Sequence, residues 1–154
     1  MVKAIPEGFH SITPYLVAKN AKQALGFYSE AFDAEVTLEL NTPDGGVAHA
    51  EMKVGSSHIM LAEEHPDMGF LSPETLGGAG VSLMLYLDNV DTAFAKALAA
   101  GAEEVRPVID QFYGDRAGTL KDPFGHIWTL ATHVEDLTEQ ELHQRMMAYF
   151  SEES

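Results

Sequence analysis

The stretch VAHAEMKV, residues 47–54, alternates so that Ala48, Ala50, Met52 and Val54 share one side of a strand and Val47, His49, Glu51 and Lys53 the other. Same-side neighbours on a strand stand about 7 Å apart, so the imidazole of His49 and the carboxylate of Glu51 can converge on one small molecule. Shielded from water, a carboxylate binds its proton more tightly. Glu51 could then take a proton from a carbon next to a carbonyl, with His49 as shuttle or hydrogen-bond donor. The same pattern also fits a solvated strand face, or a face that touches a ligand without chemistry.

Tyr113, Asp115 and Arg116 form a second polar group. The planar fork of Arg116 suits an anionic or planar ligand, and the ring of Tyr113 suits an aromatic one. Asp115 and Arg116 could equally serve a hairpin or a contact between two copies. Six further histidines have plainer readings. His10, His65 and His143 fall in exposed settings, His58 and His126 follow turns at strand starts, and His133 ends a strand.

The elements that must position these residues occur twice. SITPYLV is a short strand-forming run, Asn20 offers a helix cap, and Ala21, Ala24, Leu25, Tyr28 and Phe32 make one helical face. AEVTLEL, VAHAEMKV and HIMLAE then read as three strands separated by glycine-containing turns. After a Gly- and Pro-rich linker, residues 66–80, the order begins again: VSLMLYL, a helix capped by Asp88 or Asn89 and ended by Gly101, then AEEVRPVI, DRAGTL and HIWTLATH. Trp128 alternates with Ile127 and Thr129, which puts its indole on the helix-packed side. A shift of 68 positions sets His58 on His126. We read one domain over residues 1–154, with a first module at about 8–65, a second at about 81–133 and a C-terminal helix at about 138–151. Thr138 to Glu141 fits a capping box for that helix, which is expected to pack on its own domain.

Composition narrows the partners. The chain carries 9 Lys and Arg against 24 Asp and Glu, a formal net charge of −15, which repels a phosphate backbone and argues against nucleic acid. With no cysteine there is neither a disulfide framework nor a thiol nucleophile. MVKAIPEGF holds no signal-like apolar run and no stretch is long enough to cross a bilayer, so a cytoplasmic protein with no membrane partner is expected.

Three segments together resemble the vicinal oxygen chelate superfamily, in its glyoxalase/bleomycin-resistance group and PhnB-like branch. They are ITPYLVAKNAKQALGFYSEAF, VAHAEMKVGSSHIML and YGDRAGTLKDPFGHIWTLATHVEDLT. The resemblance implies an α+β fold of two βαβββ modules, forming curved mixed sheets around a cavity, and usually a homodimer. Members include metal-dependent lyases and isomerases, ring-cleaving dioxygenases, thiol transferases acting on fosfomycin, and proteins that sequester an antibiotic. Catalytic members hold a metal from the first and last strand of each module. The resemblance places those positions at Thr13, Leu61, Val81 and Thr129, none of which carries an imidazole or carboxylate. The expectation is a small-molecule binder without metal or other cofactor, with His49, Glu51, Tyr113, Arg116 and Thr129 as contacts. The alternatives are a glyoxalase-like lyase or isomerase, or another metal-dependent enzyme of the superfamily, with a divalent metal; a metal-free proton-transfer enzyme using Glu51; and an interaction module working through the dimer surface and the C-terminal helix.

Overall fold

Asn20 opens the first helix as its position predicts: its side-chain oxygen accepts the backbone N–H of Gln23 at 3.0 Å. The computed structural model describes residues 1–153. The first unit comprises β1 (Tyr15–Ala18), α1 (Ala21–Phe32), β2 (Glu35–Asn41), β3 (Val47–Val54) and β4 (Ser57–Glu63). The linker holds a 3-10 turn at Pro66–Met68 and the one-turn helix α2 (Pro73–Leu76), more regular structure than its composition predicts. The second unit comprises β5 (Ser82–Tyr86), α3 (Val90–Ala99), β6 (Glu103–Asp110), β7 (Asp115–Lys121) and β8 (Ile127–His133), and α4 (Glu139–Glu153) follows. Of SITPYLV only the last three residues enter β1.

Each unit makes one mixed, unclosed four-stranded sheet, in the orders β1-β4-β3-β2 and β5-β8-β7-β6. The outer pairs β1/β4 and β5/β8 are parallel and the rest antiparallel. The α+β architecture of two βαβββ units is therefore as read from the sequence. The repeat offset differs from 68 in part of it. Tyr15 pairs with Met60 as Met84 pairs with Thr129, and Asn20 caps α1 as Asn89 caps α3, all 69 apart. Glu51 pairs with Met60 as Thr119 pairs with Thr129, which keeps β3 and β7 at 68. The extra residue lies in the β7–β8 turn.

The helices cover one side of the sheets. Leu16, Met52 and Leu61 from the first unit and Phe94, Leu120, Trp128 and Leu130 from the second join a single buried cluster. Trp128 is in the core, as its alternation predicts. Phe27 and Ala31 are buried as well as the predicted α1 face, because α1 also packs on the second unit: Phe27 meets Phe124 edge-on and Phe32 lies 4.8 Å from Trp128. Such aromatic pairs contribute about 0.5–1.5 kcal/mol each beyond area burial.

Asp122 ties the units together. Its carboxylate, 2% exposed, accepts Tyr28 Oη–H at 2.5 Å, Trp128 Nε1–H at 2.9 Å, and the N–H groups of Phe124 and His126 at 2.9 and 3.0 Å. Burial, then the adjacent Asp122 charge, pushes the Tyr28 phenol well above its ordinary pKa. Beside it, His126 Nε2 lies 3.0 Å from the carbonyl of Val17 in β1.

The α4 helix packs on its own chain. Thr138 and Glu141 close the predicted capping box. Arg145 takes both carboxylate oxygens of Glu135 at 2.7 Å and donates to the carbonyl of Phe112, while the Tyr149 ring lies 5.1 Å from that of Phe112. Gly114 completes the junction: at φ +98 it accepts the N–H groups of Val134 and Glu135, and a Cβ there would sit 2.4 Å from the Glu135 carbonyl oxygen.

Candidate functional site

The uncovered side of the first sheet gathers His49 and Glu51 as the alternation of β3 predicts. His49 Nε2 lies 3.0 Å from Glu51 Oε2, and His49 Nδ1 lies 2.8 Å from Tyr15 Oη. An ionised carboxylate only accepts, so a neutral His49 donates Nε2–H to Glu51 and accepts the Tyr15 hydroxyl at Nδ1. A three-membered hydrogen-bond chain results, with Glu51 Oε1 making no hydrogen bond among the described residues. Burial, then the Glu51 charge, raises the Tyr15 pKa and keeps its proton in place. Leu38 and Leu40 on β2 stand opposite Glu51 and His49 and give this face an apolar margin.

The alternation fails at one end of β3. Val47, expected beside His49, is buried, and Ala48, expected in the core, is exposed. The cause is a bulge: Leu40 pairs with His49 but Asn41 with Val47, so one extra residue on β3 reverses the sides.

A cavity of about 710 Å³ opens at the Tyr15 end of this face, between the β2–β3 turn, Ala62 and the linker residues His65, Met68 and Phe70. Phe70 stacks near-parallel on Tyr15 at 6.4 Å. The volume is within the usual range of about 300–1,000 Å³ for small-molecule sites. Sequence reasoning missed Tyr15 and Phe70. Local alternation gives the side on which Tyr15 lies only once the parallel pairing with β4 is known, and Phe70 lies in a segment without periodicity.

The uncovered side of the second sheet carries a different network. Asp115, 4% exposed, accepts Tyr86 Oη–H at 2.8 Å and holds His133 Nδ1 at 2.8 Å, while His133 Nε2 meets the exposed Asp136 at 2.8 Å. The hydrogen bonds to Asp115 and then Asp136 raise the His133 pKa. Tyr113 stands close enough for burial, then the Asp115 charge, to raise its pKa. Thr129 faces inward, its hydroxyl 2.9 Å from that of Thr119.

Arg116 is separated from this group. It points to the helix-covered side, where Asp91 of α3 receives Nε at 2.8 Å and Nη2 at 2.9 Å, and Asp110 receives Nη1 at 3.1 Å. The fork expected to hold a ligand is thus filled by the chain's own carboxylates, and Asp91 is held below the ordinary carboxylate pKa by it. In β7, Asp115, Ala117 and Thr119 face inward, so strand alternation sends Arg116 and Gly118 outward. A Cβ on Gly118 would meet Phe94 of α3 at 3.0 Å.

Two of the four metal positions implied by the resemblance are one residue off. Leu61 is fully buried in the core and Val81 precedes β5. The 69-residue offset of β1 and β4 makes Met60 the equivalent of Thr129 and Ser82 the equivalent of Thr13, and Met60, Ser82 and Thr129 share the inward side. A thioether and three hydroxyls are not the carboxylate and imidazole set that a catalytic divalent metal requires, so this donor set does not fit one. Among the described residues no three His, Asp or Glu side chains are grouped to hold a metal ion.

Residues 8–130 match the Glyoxalase/Bleomycin resistance protein/Dioxygenase superfamily, and the chain belongs to it. An uncharacterised protein of Mycobacterium tuberculosis H37Rv is 37% identical over 139 residues, covering 88% of this chain and 82% of the relative. TioX from Micromonospora sp. ML1 shares the fold at a TM-score of 0.63 and 22% identity, covering 84% of this chain and all of its own. The fosfomycin resistance protein FosX of Listeria monocytogenes does so at 0.60 and 16%, covering 92% of this chain and 99% of its own.

Proposed function

We propose that this protein binds a small molecule against the inward face of its first sheet and works without the metal centre of the superfamily's catalytic members. The observation that carries this reading is the Tyr15, His49, Glu51 chain. It orients a carboxylate with one unengaged oxygen, and its far end lines a cavity flanked by the Phe70 ring. Apolar walls from Leu38, Leu40 and Phe70 provide most of the contact area and Glu51 provides orientation. A carboxylate in a chain of net charge −15 favours a cationic or hydrogen-bond-donating ligand, and sequestration of a toxic compound such as an antibiotic is the role that follows.

Tyr113 and Thr129 belong to the second face and contact the ligand only when that face is brought opposite the first. A homodimer does this and also covers apolar side chains otherwise open to water, such as Leu40, Met84, Tyr86 and Ile109, each about half-exposed. The protein is a single-domain cytoplasmic one in this reading. No helix among the described residues is long and apolar enough to cross a membrane.

The hydrogen-bond chain also favours a second reading, metal-free proton transfer with Glu51 as base and His49 linking it to Tyr15. One experiment separates the readings. Protein purified without added metal is analysed for bound metal and assayed for hemithioacetal isomerisation with and without Ni²⁺ or Zn²⁺. A thermal-shift screen of cationic antibiotics and aromatic compounds follows. The binder predicts no stoichiometric metal, no turnover, and a raised melting temperature with at least one compound that Glu51→Gln abolishes. Stoichiometric metal with turnover refutes it.

A further inference from the structure

Leu38, Glu51 and Met60 stand in one cross-strand row on the inward side of the first sheet, and the register sets Arg106, Thr119 and Thr129 in the matching row of the second. Directly opposed residues of neighbouring strands lie on the same side of a sheet, so Arg106 shares the inward side with the two threonines. The rows carry opposite chemistry. The first offers an acceptor, the unengaged oxygen of Glu51, and the second offers donors.

Arg106 is the exception among three arginines. Arg116 is taken up by Asp91 and Asp110, and Arg145 by both oxygens of Glu135, whereas Arg106 is exposed and makes no hydrogen bond or ion pair among the described residues. In a chain with 24 Asp and Glu, its planar fork holds none of the chain's own carboxylates. The hydroxyls beside it are short of an acceptor too. Thr119 and Thr129 lie 2.9 Å apart and one donates to the other, so the hydrogen of the accepting hydroxyl has no partner among the described residues. Tyr113 adds a further donor. Burial, then the Asp115 charge, raises its pKa and keeps the phenol protonated, and the Arg106 charge stands near enough to oppose that rise.

We infer that the ligand is zwitterionic, its cationic group held by Glu51 of one protomer and its carboxylate by Arg106 of the partner subunit, beside the threonine hydroxyls. This rests on the proposed function, in which a homodimer sets the two faces opposite each other, and adds the anionic half of the ligand to it. A carboxylate matches the guanidinium fork through two parallel hydrogen bonds, which a neutral acceptor does not. A simple cation would leave that fork empty, and a simple anion would meet the Glu51 charge with nothing to offset it.

Phenylalanine, phenethylamine and hydrocinnamate share one ring and carry both charges, the cation alone and the anion alone. Each is titrated by calorimetry into the full-length protein. Phenylalanine is expected to bind at least ten-fold more tightly than either of the others. Arg106→Met should lower it to the affinity of phenethylamine and leave that amine unchanged, and Glu51→Gln should lower it to the affinity of hydrocinnamate. Near-UV circular dichroism checks that each variant is folded. The two variants, co-expressed with different tags and purified through both, form a mixed dimer in which one site has lost both groups and the other has kept both. Tight phenylalanine binding should therefore return at one site per mixed dimer. No such return, or an amine that binds the wild type as tightly as phenylalanine, overturns the proposal and leaves the Glu51 reading standing. If none of the three binds, the proposal falls and the thermal-shift screen alone decides that reading.

Discussion

On the inward face of the first sheet Glu51 is held through one oxygen by one histidine, and on the second sheet Asp115 is held through both oxygens by Tyr86 and His133. The two carboxylates stand on equivalent middle strands of one repeated topology, yet one is partly exposed and the other 4% exposed. Asp122, in the turn that follows β7, goes further, with four donors on its two oxygens. The difference teaches how to separate acids that serve the fold from acids open to a ligand. A carboxylate saturated by its own chain has no lone pair left to recognise anything else. One with a free oxygen beside a cavity does.

Removing each acid tests this ordering. Asp122→Ala strands Tyr28, the indole of Trp128 and two backbone N–H groups in the core, and is expected to cost about 3–5 kcal/mol, read from urea unfolding. Asp115→Ala releases Tyr86 and His133, both able to turn to water, and is expected to cost about 1–3 kcal/mol. Its amide-exchange protection should fall at the start of α4 before the sheets are affected. Glu51→Gln should change stability by less than about 0.5 kcal/mol while weakening a screened ligand at least ten-fold, measured by calorimetry. A larger stability loss at Glu51 than at Asp115 would erase the distinction.

The smallest expected effect is a pH dependence at His133. Its pKa is raised in the folded state, first by Asp115 and then by Asp136, so the folded form binds the proton more tightly than the unfolded chain. The stability this adds is complete below the unfolded histidine pKa of about 6.5 and is lost as pH rises through the higher folded value. Wild type and His133→Asn should differ more in urea midpoint at pH 6 than at pH 9. A gap that widens with pH would reverse the assignment of His133 as a paired cation.

Much of this was legible in the chain. The helix faces, the Asn20 cap, the Thr138 capping box and the inward direction of His49 and Glu51 follow from local periodicity, which these residues obey. Other features depend on contacts far apart in sequence. Arg116 sits in a polar cluster on paper, but strand alternation and Asp91 in α3, 25 residues away, take its guanidinium to the opposite side. Tyr15 looked like one more strand former until β1 paired with β4. The bulge at Ala48 and the added residue in the β7–β8 turn leave no local signal, and each moves side chains across the sheet. The added residue sets Met60 rather than Leu61 at the position equivalent to Thr129, and a connection from α3 to β6 one residue shorter than that from α1 to β2 sets Ser82 rather than Val81 at the position equivalent to Thr13.

The bond between Tyr28 and Asp122 spans 94 residues. Each half therefore lacks part of its core until the other has been made: α1 has no Trp128 or Phe124 to bury against, and the β7–β8 turn has no phenol to fill it. Such non-local closure slows the search for the native state and makes it all-or-none. On a ribosome the chain should stay unprotected until Trp128 has emerged, and then acquire order in both halves in one step. Pulse proteolysis of stalled nascent chains that end shortly before or shortly after that residue and continue into a flexible linker long enough to clear the exit tunnel would register the change.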